Sequence, residues 1–430
     1  MRNREKKRVD VLVAGGGPAG LGAAIAAARD GAHVLMVEPY GFLGGAVTQA
    51  LVVGLQTQFA GDQRVIGGIP RELTDRLIET RAGRRVRVPM STAPDVVVER
   101  VEADPEGFKR ITDDWIRTSG IELWLHSHAV DVLTGGNRVQ GAVIHTKSGL
   151  FEVSADVTVD ATGDGDVAVF AGAKYEQGNI EERTLQPMTM YFRAGNVNVE
   201  AALDFWSSEE RRRLMRNACE RGELPAEYMV LHQPGWARDV IVGMTRISGK
   251  DPLSVVDLTA AEIEGRLQVE RAMAFLVRHF PGFEKAHLCA TGPSIGVRET
   301  RHITGDYVLT GEDVMTGRRF EDGIARGAYP IDIHRPGEIG TTFVQLPQGQ
   351  FYDIPYRCLL ARGLEGILVA GRCFSATREA FGSARVSMIC MAMGEAAGSA
   401  AAVCVGQKCT PRQIDPEQLR ENLRRQGVLC

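Results

Sequence analysis

Residues 9–45 read VDVLVAGGGPAGLGAAIAAARDGAHVLMVEPYGFLGG, and the order of runs within this stretch decides the fold. The apolar run 9–14 has the composition of a buried strand and meets Gly15-Gly16-Gly17-Pro18-Ala19-Gly20 without a spacer. The small residues of 21–28 suit a tightly packed helix, Gly31 stops it, and 33–37 form a second buried strand ending at Glu38. In such a strand–turn–helix–strand unit Gly15 permits the tight turn. Gly17 lets backbone approach a pyrophosphate, and Gly20 lets helix and strand touch. The helix start at Pro18-Ala19 turns the positive end of its dipole toward that anion. Glu38, about 20 residues on, can accept hydrogen bonds from both ribose hydroxyls, which argues for FAD or NAD over NADP. Spacing alone does not choose between the two.

The chain has 430 residues, more than one ordinary core holds, so two domains or one core with a large insertion is expected. Apolar content of 44% and charged content of 24% describe a globular protein. A net charge of −4 carries no electrostatic footprint for nucleic acid or an anionic membrane. The N-terminal MRNREKKR lacks the apolar segment of a signal peptide and reads as a solvated tail on a cytoplasmic protein. The apolar stretch 386–405 carries Glu395 and many small residues, so it reads as a buried helix and not as a membrane span. The eight cysteines form no CxxC and no metal-type cluster, which points to reduced thiols and no metal site.

Beyond Glu38, Gly44-Gly45 permits close backbone passage along a ligand or an ordinary loop. The spacing predicts a helix over 70–81, with Pro70 in its first turn. Asp104-Pro105-Glu106 starts another helix that runs to about Thr118. Strands are expected at 122–126 and 129–133, then a hairpin through Gly135-Gly136-Asn137 into 139–146 and 151–153. A buried strand over 157–160 ends in the Gly/Asp loop of 161–166. His126 and His128 stand two apart on one strand face; a metal needs three or four ligands, so both read as structural. Residues 176–350 lose the strand–helix alternation and are helix-rich over 199–221 and 259–280. GILVAGR at 366–372 restores a strand running into glycine, and a small-residue helix follows. The fold class is therefore α/β. A discontinuous Rossmann-type nucleotide-binding domain takes 1–50, 96–175 and 351–430, with a cap segment at 51–95 and an inserted α+β substrate or cap domain at 176–350.

Five stretches carry a family resemblance: the opening unit, VTVDATGDGDVA, GVRETRHITGDYVLTGEDV, AYPIDIH and ILVAGRCFSATREAFGSARVSMICMAMGEAAG. The chain resembles the bacterial FAD-dependent oxidoreductases related to the fumarate reductase and succinate dehydrogenase flavoproteins, within the glutathione-reductase-like FAD superfamily. The resemblance implies FAD, with Gly15, Gly17, Gly20 and Glu38 at its ADP half and Gly44, Gly45 and Ala46 along the flavin. It further implies that Val130 passes the adenine, that Thr162-Gly163 forms the turn beside the dinucleotide, and that Gly371-Arg372 reaches the ribityl–pyrophosphate region. Cys390 and Met391 match backbone positions near the flavin pyrimidine at a helix start, where the dipole would stabilise negative charge. The relatives that attach flavin covalently use a His just after the glycine pair; here the stretch reads AVTQA, which implies non-covalent FAD. The first cysteine is Cys219, too late for a disulfide-reductase pair, and no second GxGxxG unit for a nicotinamide is present.

A flavin exchanges a hydride at N5, so the protein must hold a substrate carbon there and manage one proton. By the resemblance Arg385 grips the substrate, as guanidinium fits a carboxylate bidentately. His334 is the proton-handling candidate, since imidazole titrates near neutrality and Asp332 lies two residues away on the same strand face. Arg298, Glu299 and Arg301 form a charged cluster that either lines the substrate face or pairs internally. The expected activity is that of a dehydrogenase or reductase acting on a small polar organic molecule. A flavin monooxygenase or oxidase and a non-catalytic FAD-binding protein are the alternatives. Expected partners are the substrate and an unidentified electron donor or acceptor, and a homo-oligomer is compatible with the chain.

Overall fold

The computed structural model describes residues 5–90, 93–178, 184–335 and 341–430. The opening stretch folds as strand Glu5–Ala14, helix Pro18–Arg29 and strand Val34–Glu38. The first strand begins earlier than its apolar run, because Glu5 to Arg8 pair in parallel with Phe151 to Ser154. That corrects the solvated tail from Glu5 onward; residues 1–4 lie outside the described residues. The partner explains it: the stretches expected as separate strands at 151–153 and 157–160 are one strand, Gly149–Asp160, long enough to template the tail.

The main sheet has seven strands. Glu122–Leu125, Val34–Glu38, Glu5–Ala14 and Gly149–Asp160 run in parallel, and Arg138–Thr146 and His128–Gly135 add an antiparallel meander. Ile367–Val369 pairs in parallel with the last residues of Gly149–Asp160, so the late glycine turn lands beside the early ones. His126 is not on a strand face. It sits between two strands with a left-handed φ of 53° and faces Gly41, while His128 opens the next strand.

Helix Pro18–Arg29 crosses helix Ser387–Gln407 backbone to backbone. A Cβ on Gly394 would stand 1.9 Å from the Ala19 carbonyl oxygen, and one on Gly398 would stand 2.0 Å from that of Ala23. Long apolar side chains are thus excluded and small ones required. Helix Ser387–Gln407 is long and apolar enough to cross a membrane, but 83% of its most apolar window is buried inside the chain.

The helix expected over 70–81 is Gly68–Glu79. It is followed by an unforeseen hairpin, Gly83–Met90 against Ala93–Ala103, whose second strand also pairs with Gly54–Gln56. The second lobe is a four-stranded antiparallel sheet: Val230–His232, Val240–Gly243, Phe192–Gly195 and His287–Thr291. Its own core contains Phe192, Trp206, Met215 and Leu276. Leu309, Ile324 and Ile331, within 176–350, instead pack into the core of the opening unit.

Candidate functional site

One cavity of about 580 Å³ connects the glycine turns with the second lobe. Gly15, Gly17, Pro18, Ala19 and Glu38 line it at the first turn. Gly15 has a φ of +103°, and a Cβ there would meet the Ala161 carbonyl oxygen at 2.4 Å. The first turn therefore rests directly on the Ala161-Thr162-Gly163 turn, whose residues also line the cavity. Gly45 and Ala46 form the facing wall, and a Cβ on Gly45 would stand 2.8 Å from the Gly17 Cα. Two glycine loops thus touch through backbone alone and leave the space beside them open.

Glu38 is buried. Its Oε2 accepts the Gly16 N–H at 2.6 Å and its Oε1 accepts the Tyr40 N–H at 3.0 Å. Burial raises its pKa. A carboxylate offers about four acceptor positions, so two remain for ribose hydroxyls. Asp160, buried below the second turn, accepts Thr162 N–H at 3.1 Å, Thr162 Oγ1–H at 2.7 Å and Ala168 N–H at 2.8 Å. Burial pushes its pKa up to about 6. Gly371 and Arg372 close this end, with Arg372 Nη2 donating to Asp164 Oδ1 at 2.7 Å.

Val386, Ser387 and Cys390 also line the cavity, at the start of helix Ser387–Gln407. Burial pushes the Cys390 thiol up to about 12 against the pull of the Arg372 and Arg385 charges, so the thiol stays neutral at the helix start. Among the sequence-derived cofactor positions, Gly20, Gly44, Val130 and Met391 do not line the cavity. Gly20 packs on the Gly15 carbonyl, and Gly44 packs on Thr48 and Phe108. Val130 is exposed one residue past the lining pair His128 and Ala129. Met391 places its carbonyl against Gly22 in the helix crossing.

At the other end Arg298, Asp332, His334 and Arg385 come together. Arg298 Nη1 donates to the Pro187 carbonyl at 2.7 Å and to Thr189 Oγ1 at 2.6 Å. Arg385 Nη2 donates to the Asp332 carbonyl at 3.1 Å and to Gln186 Oε1 at 3.3 Å, while its buried Nε has no hydrogen-bond partner among the described residues. Burial lowers the Arg385 pKa. His334 contacts Thr341 Oγ1 through Nδ1 at 3.1 Å, and its Nε2 lies 3.4 Å from Asp332 Oδ1. Burial and the Arg298 charge pull the His334 pKa down to about 4. The imidazole is therefore neutral near pH 7, and the expectation of near-neutral titration is corrected. Burial alone would raise the Asp332 pKa, but His334, Arg385 and Arg298 outweigh it and hold the group at about 2.

Arg301 does not line the cavity: it donates to Asp166 Oδ1 at 2.7 Å and to the Asp164 carbonyl at 3.1 Å, two residues that do. Several lining residues carry no sequence motif. The Tyr228 ring stands edge-on to His334 at 5.3 Å, its hydroxyl 3.4 Å from that of Tyr191, and Tyr329 completes the phenolic wall. Arg100 and His232 line a further part. A period-two reading of 97–103 as a strand would have put Val98 and Arg100 on one face, but nothing local says that this face is the cavity. Among the described residues no three His, Cys, Asp or Glu side chains are grouped to hold a metal.

A sequence profile described as FAD dependent oxidoreductase matches residues 10–423. Digeranylgeranylglycerophospholipid reductase of Picrophilus torridus is 22% identical over 343 residues, covering 76% of this chain and 77% of that protein. Digeranylgeranylglycerophospholipid reductase 2 of Methanopyrus kandleri is 31% identical over 161 residues, 36% of this chain and 37% of that one. Among solved structures, a flavin-dependent brominase superposes with a TM-score of 0.54 at 15% identity, covering 97% of this chain and 83% of its own. CabE, an aromatic hydroxylase from angucycline biosynthesis, gives a TM-score of 0.50 at 13% identity, with coverages of 98% and 69%. At these identities the structural likeness is one of fold.

Proposed function

This chain belongs to the FAD dependent oxidoreductase family, and on that premise we propose that it transfers a hydride between non-covalently held FAD and a small polar organic substrate. The observation that carries the reading is the single cavity joining the glycine turns to Arg298, Asp332, His334 and Arg385. FAD, when bound, supplies the hydride-exchanging atom, N5. Gly15, Gly17, Pro18, Ala19 and Glu38 would hold its ADP half, with Thr162, Gly163, Gly371 and Arg372 beside the phosphates and ribityl. Gly45 and Ala46 would lie along the flavin. The stretch Ala46-Val47-Thr48-Gln49-Ala50 offers no His, Cys or Tyr, which supports non-covalent attachment.

Arg385, aided by Arg298, orients a carboxylate or carbonyl of the substrate. Neutral His334 turns its Nε2–H toward the Asp332 carboxylate and takes up the proton released on substrate oxidation at Nδ1, beside Thr341 Oγ1, while Asp332 stabilises the resulting charge. The phenols and the buried walls exclude water from this end. We carry with this reading the kinship to the fumarate reductase and succinate dehydrogenase flavoproteins, the glutathione-reductase-like ancestry and the division at 51–95 and 176–350. The reductase names of the curated relatives bear on the reverse, reducing direction, in which His334 returns that proton to the substrate.

The test is an anaerobic screen of small metabolites for bleaching of the protein-bound flavin. Protein that stays colourless after reconstitution with FAD would falsify the proposal. Arg385→Ala and His334→Ala should each cut turnover while FAD remains bound; full activity in both removes their assigned roles.

A further inference from the structure

Three stretches present alternate residues to the cavity. Val52, Gly54 and Gln56 come from the first, Val98 and Arg100 from strand Ala93–Ala103, and Tyr228, Val230 and His232 from the third. A period of two is what one face of extended backbone presents, and Val97, on the other face, is 57% exposed. The wall is graded. Along the third stretch Tyr228 faces His334, Val230 follows and His232 makes a polar end, beside the paired Gln56 and Arg100, which Val52 and Val98 flank. His232 stands four positions after Tyr228, so the polar end lies at most about 14 Å along the chain from the phenol at His334.

Glu102 organises that end. It is 2% exposed, and its Oε1 accepts Arg100 Nη2 at 2.7 Å, Arg100 Nε at 3.1 Å and His232 Nδ1 at 3.0 Å. Its Oε2 accepts the Gln233 N–H at 2.9 Å. Nδ1 of His232 therefore carries the proton and Nε2 the lone pair. Burial and the Arg100 charge lower the His232 pKa, which keeps the ring neutral. Arg100 also reaches the Leu231 carbonyl through Nη2 at 3.4 Å. Among the described residues, Arg100 Nη1 and His232 Nε2 have no hydrogen-bond partner, and both side chains line the cavity. Room for the ring comes from Gly54, where a Cβ would meet His232 Cε1 at 2.8 Å.

We propose that Arg100 and His232 form a second subsite, apart from the Arg385–His334 end, that takes a hydroxyl group at the far end of the substrate held there. A hydroxyl donates to Nε2 and accepts from Nη1, whereas a carboxylate would turn a lone pair toward Nε2. Glu102 faces both Arg100 and, at 3.5 Å from its Oε2, Arg84 Nη2, so the choice of a hydroxyl rests on the Nε2 lone pair and not on charge. The inference rests on the reading of the cavity as the substrate chamber of a FAD enzyme.

The experiment titrates the flavin-loaded protein with two probe series, straight-chain carboxylates and ω-hydroxycarboxylates of the same length, following perturbation of the flavin absorbance. At one chain length the hydroxy compound should bind about tenfold tighter, the worth of one added hydrogen-bonded group. His232→Leu should erase the preference while leaving FAD content and the affinity for the plain carboxylates unchanged. Gly54→Ala, which retains every polar group and only crowds the ring, should reduce the preference; it decides the matter if His232→Leu does not fold. Equal binding of both series at every length, no response to either, or a preference that survives both variants overturns the subsite. A protein that retains no FAD overturns the functional reading itself, so the two failures are told apart.

Discussion

Arg372 and Asp164, 208 positions apart in sequence, are joined by a 2.7 Å hydrogen bond that closes the last glycine turn over the middle one. Arg372 also approaches Thr300 Oγ1 at 3.4 Å, and Thr300 donates to Asp164 at 2.8 Å, so the pair belongs to a small network. Arg372→Ala should weaken FAD binding about tenfold, as should Asp164→Ala, and the double variant should lose less than the sum because the residues touch. Fluorescence titration of apoprotein with FAD measures all three. Strict additivity would mean that the contact does not matter for the cofactor.

The crossing of helices Pro18–Arg29 and Ser387–Gln407 admits no side-chain atom at Gly398, where a Cβ would lie 2.0 Å from the Ala23 carbonyl oxygen. Gly398→Ala should cost roughly 1–3 kcal/mol through overpacking, despite the better helix propensity of alanine. Urea unfolding reads the loss. A gain in stability would show that the helices can separate at no cost.

Glu395 gives a pH dependence with a definite sign. The side chain is buried, and its Oε2 accepts the Ile69 N–H at 3.0 Å; burial pushes its pKa up to about 8 from an ordinary 4.5. The native chain keeps a proton that the unfolded chain releases. Stability from this group is complete below about pH 4.5 and is lost as the pH rises through about 8. Glu395→Gln should remove that loss, narrowing the difference between unfolding free energies measured near pH 6 and near pH 9. An unchanged slope in the variant would place the titration elsewhere.

His334 has the opposite sign. Its pKa falls from 6.5 to about 4, so its contribution to stability is present above about pH 6.5 and is lost as the pH falls toward 4. If its neutral form takes the substrate proton, kcat/KM should lose activity on the acid side near pH 4, with no break near 6.5. His334→Gln should lower kcat and abolish that acid limb. A wild-type break at the ordinary histidine value would contradict the buried setting.

Much of this was legible in the chain. Asp104 caps helix Pro105–Thr118 by accepting the Glu106 N–H, as Asp-Pro-Glu signals, and the opening unit folds with its glycines in the predicted places. These are short-range matters of φ, capping and apolar period. The hairpin Gly83–Met90 with Ala93–Ala103 was not legible, since arginines interrupt its alternation and its partner strand, Gly54–Gln56, lies far upstream. Consequently Arg100, Glu102 and His232, brought together by that hairpin and the second lobe, had no motif to announce them.

The sequence by itself determined the nucleotide-binding unit, because a tight turn, a close backbone approach and a small-residue helix each demand particular residue types within a few positions. Tertiary structure alone decided where the charged side chains went. Within four residues, Arg298 turns into the cavity, Glu299 is buried accepting the Gln186 N–H, and Arg301 stays out of the lining but pairs with Asp166, which belongs to it. Their local sequence is one irregular segment with no period, so each direction was set by the partner that long-range packing happened to bring within reach.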